Sequence, residues 1–179
     1  MLQLRFAQTA RRIAYTKATR SRSAASIAYS SFFHRAFSSQ TKLYRSEFSF
    51  PELAHQIEKT EHRLHGGATH TTKELRHDFP TERSVVVAEI EAAWVQVEAL
   101  SSSAPLKLDP AVTHRALDSL SSLPLDGYDL FHLETLSQNG LTTVLTDDSD
   151  FATVPGITVW TANRAVLQAA NSAGKLIRR

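Results

Sequence analysis

Val86, Ile90, Trp94 and Val97 recur at the spacing of one helical face, so residues 82–100 predict a long amphipathic helix. Pro80, in Phe79-Pro80-Thr81, ends whatever precedes it. Upstream, Leu53, Ile57 and Leu64 line one side of a weaker helical pattern that stops at Gly66-Gly67. Thr71-Thr72-Lys73-Glu74-Leu75 follows as a helix start, with a hydroxyl to cap and Glu74 in the first turn. Downstream, Ser101 to Pro105 reads as a loop. Asp109-Pro110 caps a helix running through Val112, Ala116 and Leu120.

The last third changes period. A helix entered at Asp126-Gly127-Tyr128 turns Leu130, Leu133 and Leu136 inward and stops at Asn139-Gly140. Leu141 to Thr146 is a short β-branched, apolar strand, and Asp147-Asp148-Ser149-Asp150 turns off its C-terminal end. After the Pro155-Gly156 turn, Ile157 to Trp160 predicts a second short strand. Short apolar strands alternating with helices imply an α/β fold around a parallel sheet.

Charge divides the chain. Residues 1–46 hold nine of the twenty Lys and Arg and none of the eighteen Asp and Glu, so the remainder has a net charge of −7. The basic stretch is rich in Arg, Ser, Ala and Thr. Leu2, Phe6, Ala10, Ile13 and Ala14 fall on one helical face, with Arg5, Arg11 and Arg12 outside it. This is the composition of a mitochondrial presequence, attracted to anionic membranes and a negative-inside potential. Arg35-Ala36-Phe37-Ser38-Ser39 suggests cleavage near Phe37/Ser38. The body is too acidic to grip nucleic acid by charge alone, so phosphate binding would need metal ions or a local basic patch.

The chain has no cysteine, which excludes disulfides, thiolate zinc sites and a Cys nucleophile. Its eight histidines never form HExxH, and the i, i+3 pair His62 and His65 reads as solvated. No apolar run reaches the roughly 18 residues of a membrane helix, so stable membrane insertion is not expected.

The candidate chemistry is carboxylate chemistry. Ligands in open parallel sheets bind beyond the carboxyl ends of the strands. Asp147, Asp148 and Asp150 follow such an end, and Asp129 opens the preceding helix towards the same crevice. Converging carboxylates repel unless a cation lies between them. Hard oxygen donors suit Mg²⁺ or Mn²⁺, which activate water and stabilise the leaving oxygen in phosphodiester cleavage. Taken singly, each acid has a plainer reading, as a turn former or a helix-start residue favoured by the dipole. Their order along the chain is what shifts the balance.

That order resembles the PIN-domain family over roughly residues 70–162. The resemblance is carried by Gly127-Tyr128-Asp129-Leu130-Phe131-His132-Leu133, by Gly140 through Phe151, and by Val154-Pro155-Gly156-Ile157-Thr158-Val159. It implies a three-layer α/β fold, a small parallel sheet flanked by helices, and a Mg²⁺- or Mn²⁺-dependent ribonuclease. By resemblance Asp129, Asp148 and Glu74 are metal-binding and catalytic carboxylates, with Asp150 an additional acid. Thr146 orients the site, and Asp147 is a solvated variable position. RNA is the implied partner, and family members often form homodimers. The family begins with an apolar strand ending in Asp, and nothing before Glu74 fits it, so the first strand reads as missing. The alternative is therefore a non-catalytic module that binds RNA or protein. The expected organisation is a disordered presequence over 1–46, a helical connector over 47–69, the PIN-like domain over 70–165 and a tail over 166–179.

Overall fold

The computed structural model describes residues 2–4, 24–64 and 69–177. The expected presequence face from Phe6 to Ala14, Gly66-Gly67 and His65 lie outside them. In chain order the elements are β1 (Leu2–Leu4), α1 (Ala24–Ser38), β2 (Leu43–Ser46), α2 (Ser49–Leu64), α3 (Thr72–Asp78) and α4 (Pro80–Leu100). They continue as β3 (Ser102–Ala104), α5 (Pro110–Ser122), α6 (Gly127–Gln138), β4 (Thr143–Leu145), a 3₁₀ turn (Asp150–Thr153), β5 (Thr158–Trp160) and α7 (Arg164–Ser172).

The strands form one five-stranded sheet in the order β3-β2-β1-β4-β5, with every neighbouring pair parallel. The chain builds outward from β1 through β2 to β3, then crosses to β4 and β5 on the other side. The order therefore reverses between β1 and β4, the place where such sheets open a crevice.

Helices cover both faces, as parallel sheets require. One core joins Tyr29, Phe33 and Ala36 of α1, Leu43 of β2, Leu53 and Ile57 of α2, Ala93 and Val97 of α4, and Leu145 of β4. The other joins Ala104, Ala116, Leu125, Leu130, Leu136, Leu141, Val144, Phe151 and Val154. Val144 and Leu145 thus point to opposite faces, as successive strand residues must. The three-layer α/β expectation holds. So do the helix ends: Asp109 and Asp126 accept from Val112 N and Asp129 N, and Gly140 ends α6 in the left-handed region at φ 61°.

The N-terminal third departs from the sequence reading. Residues 24–46 are not disordered: Tyr29 is 1% exposed, and Phe33, Ala36 and Leu43 are buried with it. Cleavage at Phe37/Ser38 would remove one wall of a hydrophobic core. Nor is the centre of the sheet vacant, because β1 pairs with β2 on one side and β4 on the other. The 47–69 connector belongs to the domain, since α2 buries Leu53 completely. The 166–179 tail begins inside α7, whose Val166 is buried. Ser102–Ala104, read as loop, joins the sheet through backbone pairing with β2. Leu64 and Leu120, placed on apolar faces by their spacing, are exposed. Among the described residues no helix is long and apolar enough to cross a membrane.

Candidate metal centre at the sheet edge

Strand β4 carries the site because its apolar residues fix it centrally, with Val144 and Leu145 each 1% exposed. Thr146 extends the ladder by donating its N–H to Trp160 O at 3.0 Å. The chain then leaves the sheet through bonds that its short polar side chains supply. Thr146 Oγ1 accepts from Asp148 N at 3.0 Å, and Asp148 Oδ1 accepts from Asp150 N at 2.9 Å. Local bonds of this kind are why Ser, Thr and Asp favour turns over strands. Phe151, fully buried, anchors the far end of the turn. Thr146 is itself buried, with its hydroxyl on the Asp148 backbone N–H.

Asp129 arrives from a different element. Asp126 caps α6, its carboxylate accepting Asp129 N at 3.0 Å, and this sets Asp129 in the first turn. The Asp129 side chain is buried at the N-terminal, electropositive end of the helix, where a carboxylate is favoured. Asp129, Asp148 and Asp150 each bring one carboxylate oxygen to within 4.8 Å of the others. Asp129 is buried and the other two are half-buried. Three hard oxygen donors so gathered can hold a metal ion. The donor set fits a divalent cation, and concentrating like charges favours one.

Two sequence-predicted roles need correction. Glu74 is absent from this group. Its Oε2 accepts from Thr71 N at 2.6 Å and from the Thr71 hydroxyl at 2.9 Å, while Thr71 Oγ1 accepts from Glu74 N. This is a reciprocal capping box on α3. Those bonds hold the Glu74 carboxyl below its ordinary range. The plainer reading, a helix-start acid, is the right one.

Asp147 is not solvated; only 4% of it is exposed. Its Oδ1 accepts from the Tyr29 hydroxyl and from Thr161 Oγ1, the latter at 3.1 Å. Its backbone carbonyl accepts from Asn163 Nδ2 at 2.9 Å. Tyr29 Oη in turn accepts from Ala162 N at 3.1 Å. Burial, and then the bond to Asp147, push the Tyr29 phenol up to about 12. Asp147 therefore ties α1 and the segment after β5 to the acidic turn. Nothing local announces this role, because its partner lies 118 residues away.

Sequence reasoning also missed His132 and its surroundings. One turn after Asp129 on the same face of α6, His132 is 1% exposed and its Nε2 lies 3.3 Å from Glu52 Oε2. Neither ring nitrogen makes a hydrogen bond. Phe48 stacks on Phe131, with centroids 5.1 Å apart and planes at 17°, and meets Tyr128 edge-on. Tyr128 is exposed. The spacing of residues 128, 131 and 132 marks them as one side of a helix, but Phe48 joins them only through the fold.

Comparison of the chain with protein-family models, with curated proteins and with solved structures found no match.

Proposed function

We propose that the protein is a Mg²⁺- or Mn²⁺-dependent, PIN-like ribonuclease that hydrolyses RNA phosphodiesters. The observation that carries this reading is the meeting of Asp129, Asp148 and Asp150 beside the strand-order reversal. A bound divalent ion would supply charge neutralisation and water activation. The chain's own part is to hold that ion: Asp129 from α6, and Asp148 and Asp150 from the turn that Thr146 shapes. An acidic body of charge −7 needs such a bridge to hold a polyanion. The cationic residues before Ala24 support mitochondria as the place of action, which organelle import of a tagged full-length chain tests.

A second reading is favoured by the start of the sheet. No Asp or Glu occurs before Glu47, so β1 supplies no carboxylate to the crevice. With one ligand fewer, the fold would serve as a module that binds RNA or protein without turnover.

The deciding experiment compares wild-type protein with Asp148→Asn on single-stranded and structured RNA, with Mg²⁺, Mn²⁺ or chelator. The nuclease reading expects metal-dependent cleavage that Asp148→Asn abolishes. Equal cleavage by both proteins overturns it. Binding that survives chelator, without cleavage, establishes the second reading.

A further inference from the structure

We infer that Tyr128, supported by Phe48 and Phe131, is a stacking platform for an unpaired RNA base next to the scissile phosphate. The inference rests on the phosphodiester reading of the neighbouring carboxylates and names what that site would recognise besides phosphate. Tyr128 is 55% exposed, although it stands in the well-anchored first turn of α6. Its ring is held from beneath. Phe48 meets it edge-on at a centroid distance of 6.4 Å, and Phe48 is itself stacked on Phe131. Phe48 is braced further by an edge-on contact with the buried His132 ring at 6.3 Å. A ring left more than half exposed keeps apolar surface available for stacking by a partner.

Position selects the occupant. Tyr128 directly precedes Asp129, so the two Cα atoms are about 3.8 Å apart. The Asp129 carboxylate faces Asp148 and Asp150, while the Tyr128 ring faces solvent. A strand whose phosphate reaches those carboxylates through a cation brings an adjoining base close to the ring. Every base has a π-face, so stacking on Tyr128 is tolerant of sequence but requires an unpaired base. Duplex RNA keeps its bases stacked on one another, and the platform therefore favours single-stranded segments.

The test uses the full chain and two RNA strands of equal length, one carrying 2-aminopurine and the other lacking bases at the same positions. Binding is followed by fluorescence with Ca²⁺ present. Wild-type protein is expected to quench 2-aminopurine. Tyr128→Ala should lose the quenching and weaken binding of the base-bearing strand roughly tenfold. It should leave the base-less strand unaffected, and Tyr128→Phe should behave as wild type. Equal weakening on both strands, or no change on either, overturns the platform. So does Tyr128→Ala retaining RNA binding while losing a protein partner. If Asp148→Asn abolishes cleavage and Tyr128→Ala changes nothing, the platform fails and the nuclease reading stands. If wild type never cleaves, yet quenching depends on Tyr128, the platform stands and the nuclease reading fails.

Discussion

Glu58 and the Asp129–Asp148–Asp150 group both place carboxylates between packed elements, and their surroundings differ in sign. Glu58, on α2, is 8% exposed and receives Arg76 from α3 through both carboxylate oxygens, with Arg83 from α4 at 3.0 Å. Those guanidinium bonds, Arg76 first, hold the Glu58 carboxyl below its ordinary range despite burial. At the sheet edge, three carboxylates face one another within 4.8 Å. The first arrangement completes itself and fastens three helices together. The second gathers negative charge towards a shared point, which is how a protein prepares a place for a cation. An acidic residue is thus informative about function only once its partners are known.

The contrast can be broken most forcefully at Asp148. Asp148→Asn should lower metal-dependent cleavage by at least about 100-fold, since even groups outside the ligand set cost up to that much. Metal titration and RNA cleavage measure it, and unchanged metal affinity would place the acidic edge with ordinary turns. Next is Asp147, which adjoins the carboxylate group yet is buried and bonded like Glu58. Tyr29→Phe removes a donor to a buried carboxylate and should cost about 1–3 kcal/mol by denaturant unfolding, with little effect on metal affinity. The wild-type phenol ionises at about 12 in the folded protein against 10.0 unfolded. Its contribution is complete below pH 10 and is lost as pH rises towards 12. Tyr29→Phe should flatten that alkaline limb.

Glu58→Gln should cost about 1–2 kcal/mol, because the guanidiniums keep partial solvation when the charge goes. Since the folded value lies below the ordinary 4.5, wild-type stability from Glu58 is present above that pH and lost as acid protonates it. The variant should lack this acid-dependent loss in thermal melts. Asp150→Asn comes next: stability within about 0.5 kcal/mol of wild type, with weakened metal binding. A marked loss of stability would show that Asp150 is structural. Smallest of all, Glu74→Gln should leave metal affinity and cleavage unchanged, because Gln also completes a capping box.

How much of this was legible depended on the range of the interactions. Helices α4, α5 and α6 announced themselves through Val86, Val97, Val112, Ala116, Leu130 and Leu136, all buried as their spacing required. The Asp109 and Asp126 caps and the Gly140 stop were likewise visible, being local in both sequence and chemistry. Asp129, Asp148 and Asp150 could be brought together because the rule for parallel sheets sends strand ends and helix starts to one edge. Strands β1, β2 and β3 were not legible. Three or four residues such as Leu43-Tyr44-Arg45-Ser46 are too short for a period, and pairing along the backbone decides their state. Helix α1 was obscured differently. Its acid-free, Arg- and Ser-containing composition directed attention to targeting, although Tyr29, Phe33 and Ala36 repeat at i, i+4 and i+7 and form its buried face. Glu74 misled because one pattern, a hydroxyl followed three residues later by Glu, serves both a cap and a resemblance.

The placement of β1 bears on how the molecule comes into being. Gln3 pairs with Val144 and Leu4 with Leu145, so the sheet's middle joins residues 141 positions apart along the chain. Closing so long a loop is slow, and such topologies fold late. A nascent chain emerging from the ribosome can pack α2, α3 and α4 around Glu58 while β1 still awaits β4. Chaperones would meet an exposed strand edge throughout that interval.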